Sequence, residues 1–179
     1  MFELNAPQTL DAGHDLSAFD CGKAPLNDFL RKHALDKQNA MLSRTYVVTA
    51  GVDSAGAVVV GYYTLAVTTK LQSESPKKLG RGMPSVIPAI LMARFAVDRS
   101  FQGKGLGRSL FTDAMRRAWA LIESGAAPVR FFVVDAKDED AKAFYEHFDM
   151  LAAPQNPMRL YLSYKTLRLE FDTINADED

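Results

Sequence analysis

The sequence predicts an α/β fold of the α+β type, a mixed central β-sheet flanked by helices. Three observations carry this. Two β-rich runs, TYVVTAG and AVVVGYYTLAVTT, flank the turn signal DSAG, the pattern of a hairpin. Two further apolar runs, AILMARFAV and VRFFVVDA, read as buried strands. Helical periodicity recurs between and around these strands, giving the order α, β, β, β, α, β, α, β.

Pro25 suits a first helical turn, and Leu26, Phe29, Leu30, His33 and Ala34 follow at helical spacing, so a helix is expected over about 24–40. The hairpin comes next. LQSESPKKLGRGMPSVIP, with three prolines and two glycines, reads as an exposed functional loop. After the strand AILMARFAV come three glycines at alternate positions, Gly103, Gly105 and Gly107. Phe111, Met115, Ala118 and Ile122 then mark one face of a helix. VRFFVVDA leads into DEDAKAFYEHF, a short helix whose first turn is acidic, where the dipole favours it. RLYLSYKTL reads as a last strand.

The 179 residues suit one domain, taken as 1–169, with an acidic tail at 170–179. The tail holds five acids and no Lys or Arg, which leaves 21 basic and 17 acidic side chains over 1–169. A tail with so few apolar anchors is expected to be disordered. The mildly basic body could bind an anion locally, a weak pointer to nucleic acid. No apolar run approaches the ~20 residues that span a bilayer, and the N-terminus does not read as a signal peptide. The single cysteine, Cys21, fits a reducing cytoplasm and no cysteine-rich zinc site; no metal is expected.

At a helix start, free N–H groups and the dipole favour an anion. Glycines let the backbone approach it, and Lys104 and Arg108 could neutralise phosphate charge. Read alone, the glycines also suit a plain helix cap. GxxxxGK[ST] is absent, so this is not a Walker A loop. A dinucleotide fold wants GxGxxG and an acid closing the second strand, whereas Asp135 lies 32 residues after Gly103. The remaining pattern is Q-x-x-G-x-G, Gln102-Gly103-Lys104-Gly105-Leu106-Gly107, which resembles the pyrophosphate signature of the GNAT N-acetyltransferases.

Four ordered blocks extend the resemblance over roughly 16–165: FDCGKAPLNDFLRKHA, GYYTLA, IPAILMARFAVDRSFQGKGLGRSLFTDAMRRA and VDAKDEDAKAFYEHF. Together they resemble the tRNA-acetylating GNAT toxins of bacterial type II toxin–antitoxin systems. The resemblance implies a GNAT fold and acetyl-CoA as cosubstrate. Phe95, Ala96 and Val97 would pair with its pantetheine arm. Gln102, Gly103, Lys104, Gly105, Gly107 and Arg108 would surround its pyrophosphate. Tyr145 would be the catalytic residue, with Phe144 lining the cofactor pocket. It further implies aminoacyl-tRNA as acceptor, a ribbon–helix–helix antitoxin, operator DNA reached only through that antitoxin, and a homodimer with no membrane partner. One departure stands out: Phe148-Asp149-Met150 carries Asp149 where the family commonly has glycine. Asp tolerates left-handed backbone better than most residues, so the turn is expected to survive.

The chemistry is attack of an amine on a thioester, with a thiolate leaving. A tyrosine with a pKa near ~10 is acid enough to protonate a thiolate of similar basicity. Backbone N–H groups near Val97 would stabilise the oxyanion. Glu146 and His147 are adjacent to Tyr145 and point to other helix faces, so no general base is assigned. An aminoacyl ester lowers the basicity of its own α-amine, which reduces the need for one. Candidate tRNA contacts are Lys77, Lys78, Arg81, Arg31, Lys32, Lys37 and Arg44. Arg94, a charge inside an apolar run, needs a partner or a groove. Cys21 reads as a packed small residue. Two other classes are open: a GNAT acting on a small-molecule or protein amine, and a non-catalytic module that senses acetyl-CoA.

Overall fold

The structure, a computed structural model, describes residues 3–51 and 57–176, with side chains as far as Asp172. Its strands are β1 (Gln8–Thr9), β2 (Arg44–Ala50), β3 (Val58–Leu71), β4 (Val86–Val97), β5 (Phe131–Asp135), β6 (Leu151–Ala152) and β7 (Arg159–Ser163). They form one sheet in the order β1-β2-β3-β4-β5-β7-β6. The helices are α1 (Ala24–Lys32), α2 (Ala34–Asn39), α3 (Lys77–Gly80), α4 (Leu106–Glu123), α5 (Glu139–Glu146) and α6 (Tyr164–Ala176). The sheet is mixed, as expected. β2 and β3 are the antiparallel hairpin, and β4 and β5 run parallel from Ala89↔Phe131 to Met92↔Val134. The described residues fall into two compact units, those within 1–66 and 93–114 and those within 67–92 and 115–179.

In the first unit the apolar face of α1 makes the core. Leu26, Phe29 and Leu30 are buried, and Phe19, Val47, Val59, Tyr62 and Ala96 join the same cluster. The Tyr62 hydroxyl donates to the Leu26 carbonyl at 2.9 Å, so its one polar atom is satisfied. The helix expected over 24–40 is two helices, because His33 leaves helical geometry at φ −129°. Gly61 matters for packing: a Cβ there would stand 2.6 Å from Leu110 Cδ1 of α4.

In the second unit Ile87, Ala89, Phe131, Val133, Ala153 and Tyr161 form the core, with Leu79, Met83 and Leu91 packed against it. The Pro/Gly segment is therefore more ordered than a loop. It holds a 3₁₀ turn at Gln72–Glu74 and α3, closed by Gln72 Nε2 donating to the Gly80 carbonyl at 2.8 Å. The last strand is shorter than RLYLSYKTL suggests. It ends at Ser163, whose Oγ accepts from the Thr166 N–H at 3.2 Å and caps α6. Leu167 and Phe171 are buried, which holds α6 down through Glu170–Ala176, residues read from composition as a disordered tail. The DSAG turn and residues 177–179 lie outside the described residues. No helix among the described residues is long and apolar enough to cross a membrane.

Candidate active site

In the first unit β4 delivers half-buried Phe95 and buried Ala96 and Val97 to the glycine loop. Gly103 and Gly105 sit at φ +71° and +86°, a region other residues enter at a cost. Beyond the adjoining residues of the chain, no atom lies within 4 Å of where a Cβ would stand at either, so the loop presents bare backbone to open space. Gly107 plays another part: a Cβ there would meet Phe95 and Val97 at 3.9 Å, ordinary contact, as α4 packs on β4. α4 starts at Leu106, so its positive end and first-turn N–H groups face this loop. Lys104 and Arg108 are exposed, with Lys104 Nζ 5.7 Å above the Phe101 ring. Bare backbone, a helix N-terminus and two cations fit a diphosphate.

In the second unit Asp138 caps α5, its Oδ1 accepting from the Ala141 N–H at 2.8 Å. α5 carries Tyr145, only 6% exposed, with the Phe144 ring edge-on at 5.3 Å. Burial, and then the charge of Asp138, push the Tyr145 hydroxyl above the ordinary tyrosine range. The hydroxyl is therefore protonated and neutral at physiological pH. His147 ends the helix, its Nδ1 2.6 Å from the Ala143 carbonyl, and Glu146 pairs with Lys142 at 3.3 Å. Both are exposed. Asp149 takes φ +60°, so the left-handed turn does survive without glycine.

Residues 43–149 match the family model described as an acetyltransferase (GNAT) domain. The chain belongs to the GNAT acetyltransferase family. It is 36% identical to the tRNA-acetylating toxin of Mycobacterium tuberculosis (strain ATCC 25618 / H37Rv) over 168 residues, 94% of this chain and 97% of that protein. A solved structure of AtaT complexed with acetyl-methionyl-tRNAfMet matches with a TM-score of 0.84 at 29% identity, covering 94% of this chain and 99% of that one. A tyrosine-to-phenylalanine mutant of the AtaT toxin, bound to the C-terminus of the antitoxin AtaR and acetyl-CoA, matches with a TM-score of 0.79 at 29% identity, covering 94% and 98%.

Within this GNAT chain, the predicted residues Phe95 to Arg108 come together in the first unit, and Phe144 and Tyr145 adjoin in the second. Gln102 turns its amide inward: Nε2 donates to the Val97 carbonyl at 2.9 Å and to the Cys21 carbonyl at 3.2 Å. That contact joins the N-terminal FDCG block to the loop, and others reinforce it. Asp98 Oδ2 accepts from the Asp20 N–H at 2.9 Å, and the Arg99 N–H donates to the Asp20 carbonyl at 2.9 Å. Asp98 Oδ1 accepts from Ser100 N–H and Oγ at 2.9 and 2.6 Å. Asp20 Oδ1 accepts from Gly22 N–H and Asn27 Nδ2, both at 2.8 Å, and its Oδ2 lies 3.3 Å from Arg99. Sequence reasoning missed Asp98, Asp20 and Asn27; the D-x-S turn signal at Asp98-Arg99-Ser100 was the available clue. Cys21 is buried, as read.

Arg94 is not a buried charge. Its side chain is exposed, lies 4.9 Å over the Phe29 ring and donates from Nη1 to the Ala93 carbonyl at 2.6 Å. Of the other cations, Arg31 is held by the Phe19 carbonyl and Lys32 by Asp28 at 2.8 Å, whereas Lys37, Arg44, Lys77, Lys78 and Arg81 are exposed.

Proposed function

We propose that this acetyltransferase transfers the acetyl group of acetyl-CoA to the α-amino group of aminoacyl-tRNA, which blocks translation, and that a cognate antitoxin neutralises it. The observation that carries the cofactor is the bare left-handed backbone of Gly103 and Gly105 at the start of α4. Near-full-length likeness to a tRNA-acetylating toxin supports the acceptor.

Acetyl-CoA supplies the acetyl group as a thioester. Its diphosphate would rest on Gly103, Lys104, Gly105, Gly107 and Arg108, with Gln102, whose donors are spent on the Asp98, Val97 and Cys21 carbonyls, holding the loop from within, and its pantetheine arm would run along the backbone of Phe95, Ala96 and Val97. Phe144 lines the cofactor pocket. As the α-amine bonds to the acyl carbon and the C–S bond breaks, Tyr145 would give its proton to the departing thiolate and recover one from the acetylated nitrogen; burial keeps the hydroxyl neutral beforehand and makes it a weaker acid than a free tyrosine. Exposed Arg94, Lys37, Arg44, Lys77, Lys78 and Arg81 are the candidates for tRNA phosphates. The catalytic domain runs past residue 169, since α6 continues to Ala176 and Phe171 is buried. The antitoxin is of the ribbon–helix–helix type and carries the pair to operator DNA, and the toxin is a cytoplasmic homodimer.

The test is the acetylated species itself. RNA from cells expressing the protein, digested to terminal nucleosides and analysed by mass spectrometry, is expected to contain N-acetyl-aminoacyl adenosine. Acetylation confined to a metabolite or a protein would overturn the acceptor.

A further inference from the structure

We infer that Asp98 and Asp20 form a brace that holds the phosphate loop in its binding shape, making them positioning residues for acetyl-CoA that do not touch it. This rests on the reading that the Gln102–Arg108 loop holds the diphosphate.

A loop with glycines at 103 and 105 has little intrinsic preference for one shape. Ordering it on binding would cost affinity, and contacts that order it beforehand return that affinity. At its α4 end the loop is held locally, the Ser109 N–H donating to the Gly105 carbonyl at 3.2 Å, whereas the contacts from distant parts of the chain arrive at its β4 end. Asp98 stops β4, turns the backbone through Arg99–Phe101 and accepts three hydrogen bonds, one from Asp20, 78 residues earlier. The Asp20 carboxylate shapes its own turn through Gly22 and Asn27, which presents the Asp20 N–H and the Cys21 carbonyl to the loop. Gly22, at φ +85°, completes that turn, and a Cβ there would stand 2.7 Å from Arg99 Nε. Burial raises the Asp98 carboxyl, but the hydrogen bonds from Asp20 and Ser100 outweigh it and hold it below the usual range, so it stays an acceptor. The FDCG block thus has a physical purpose: it is the far half of the loop's scaffold.

The test compares full-length Asp98→Ala, Asp98→Asn, Asp20→Asn and Leu167→Ala with wild type. Leu167 is a buried residue of α6 in the second unit and serves as a destabilised control. Acetyl-CoA binding is read by calorimetry, KM and kcat by acetyl transfer, and stability by thermal melting. Asp98→Ala is expected to raise Kd and KM for acetyl-CoA about tenfold, with kcat at saturation within about threefold of wild type. Asp98→Asn keeps one of its two acceptor oxygens and falls between, while Leu167→Ala lowers Tm and leaves KM unchanged. Unchanged affinity in Asp98→Ala would overturn the brace, as would a KM rise in Leu167→Ala matching that of Asp98→Ala. Should Asp98→Ala not fold, wild-type affinity in both Asn variants overturns it equally. Wild-type protein that binds no acetyl-CoA would overturn the functional reading, and the brace with it.

Discussion

Replacing Gly103 with alanine probes the claim that its bare backbone faces the cofactor, and Gly125 supplies an internal control. Both glycines sit at φ +71°, and beyond the adjoining residues of the chain neither has an atom within 4 Å of where a Cβ would stand. An alanine therefore meets the same backbone penalty at each and no clash at either. That penalty is roughly 1–2 kcal/mol, and at this chain length each kcal/mol lowers Tm by about 2–4 °C. Gly103→Ala and Gly125→Ala should thus melt a few degrees below wild type, and by similar amounts. They should part company in cofactor binding. A Cβ at 103 blocks close approach of the loop to phosphate, and losing one hydrogen bond to a charged group costs about 1.5–3 kcal/mol. At 1.4 kcal/mol per factor of ten, acetyl-CoA affinity falls roughly ten- to a hundredfold. Gly125→Ala, at the far end of α4, should bind as wild type. Paired thermal melts and calorimetric titrations decide it; equal acetyl-CoA affinity in the two variants would mean that Gly103 does not face the cofactor.

Tyr145→Phe removes one hydroxyl and leaves the ring packed on Phe144, so kcat should drop by about 10²–10⁴ while acetyl-CoA affinity holds; a near-wild-type rate would contradict the proton-donor role. Because burial raises the Tyr145 pKa, the neutral, active form persists as pH rises, and the rate profile should show no falling limb from this group between pH 7 and about 9.5. A loss of activity centred below pH 9 that vanishes in Tyr145→Phe would count against it. Gly61→Ala drives a Cβ into Leu110 and should cost about 1–3 kcal/mol in urea unfolding, with Leu110→Val restoring part of it; no loss would mean the contact relaxes freely.

Local signals made much of this fold legible. The hairpin showed as two β-rich runs, and the strand–glycine–helix succession marked the left-handed glycine loop ahead of α4. Asp149 was readable as a left-handed position from the glycine that the resembled family commonly carries there, a place Asp tolerates. What stayed hidden depends on partners distant in sequence. RLYLSYKTL alternates like a strand, and α6 wins at Tyr164 because Ser163 caps it and Leu167 and Phe171 find a core. Composition made 71–88 a loop, yet Leu79 and Met83 anchor it by burial that no local pattern announces. β1 and β6, two residues each, are too short to carry a period. The brace joins Asp20 to Asp98 and Cys21 to Gln102, and neither end carries a mark that names the other.

The central claim is acetyl transfer to charged tRNA, and its most direct measurement is reconstitution. Purified protein, labelled acetyl-CoA and a full set of aminoacyl-tRNAs are incubated, and label on the aminoacyl moiety is counted. Label is expected on the α-amino group of at least one aminoacyl-tRNA, none on uncharged tRNA, and none with Tyr145→Phe. No transfer to any aminoacyl-tRNA, by protein that binds acetyl-CoA, would contradict it.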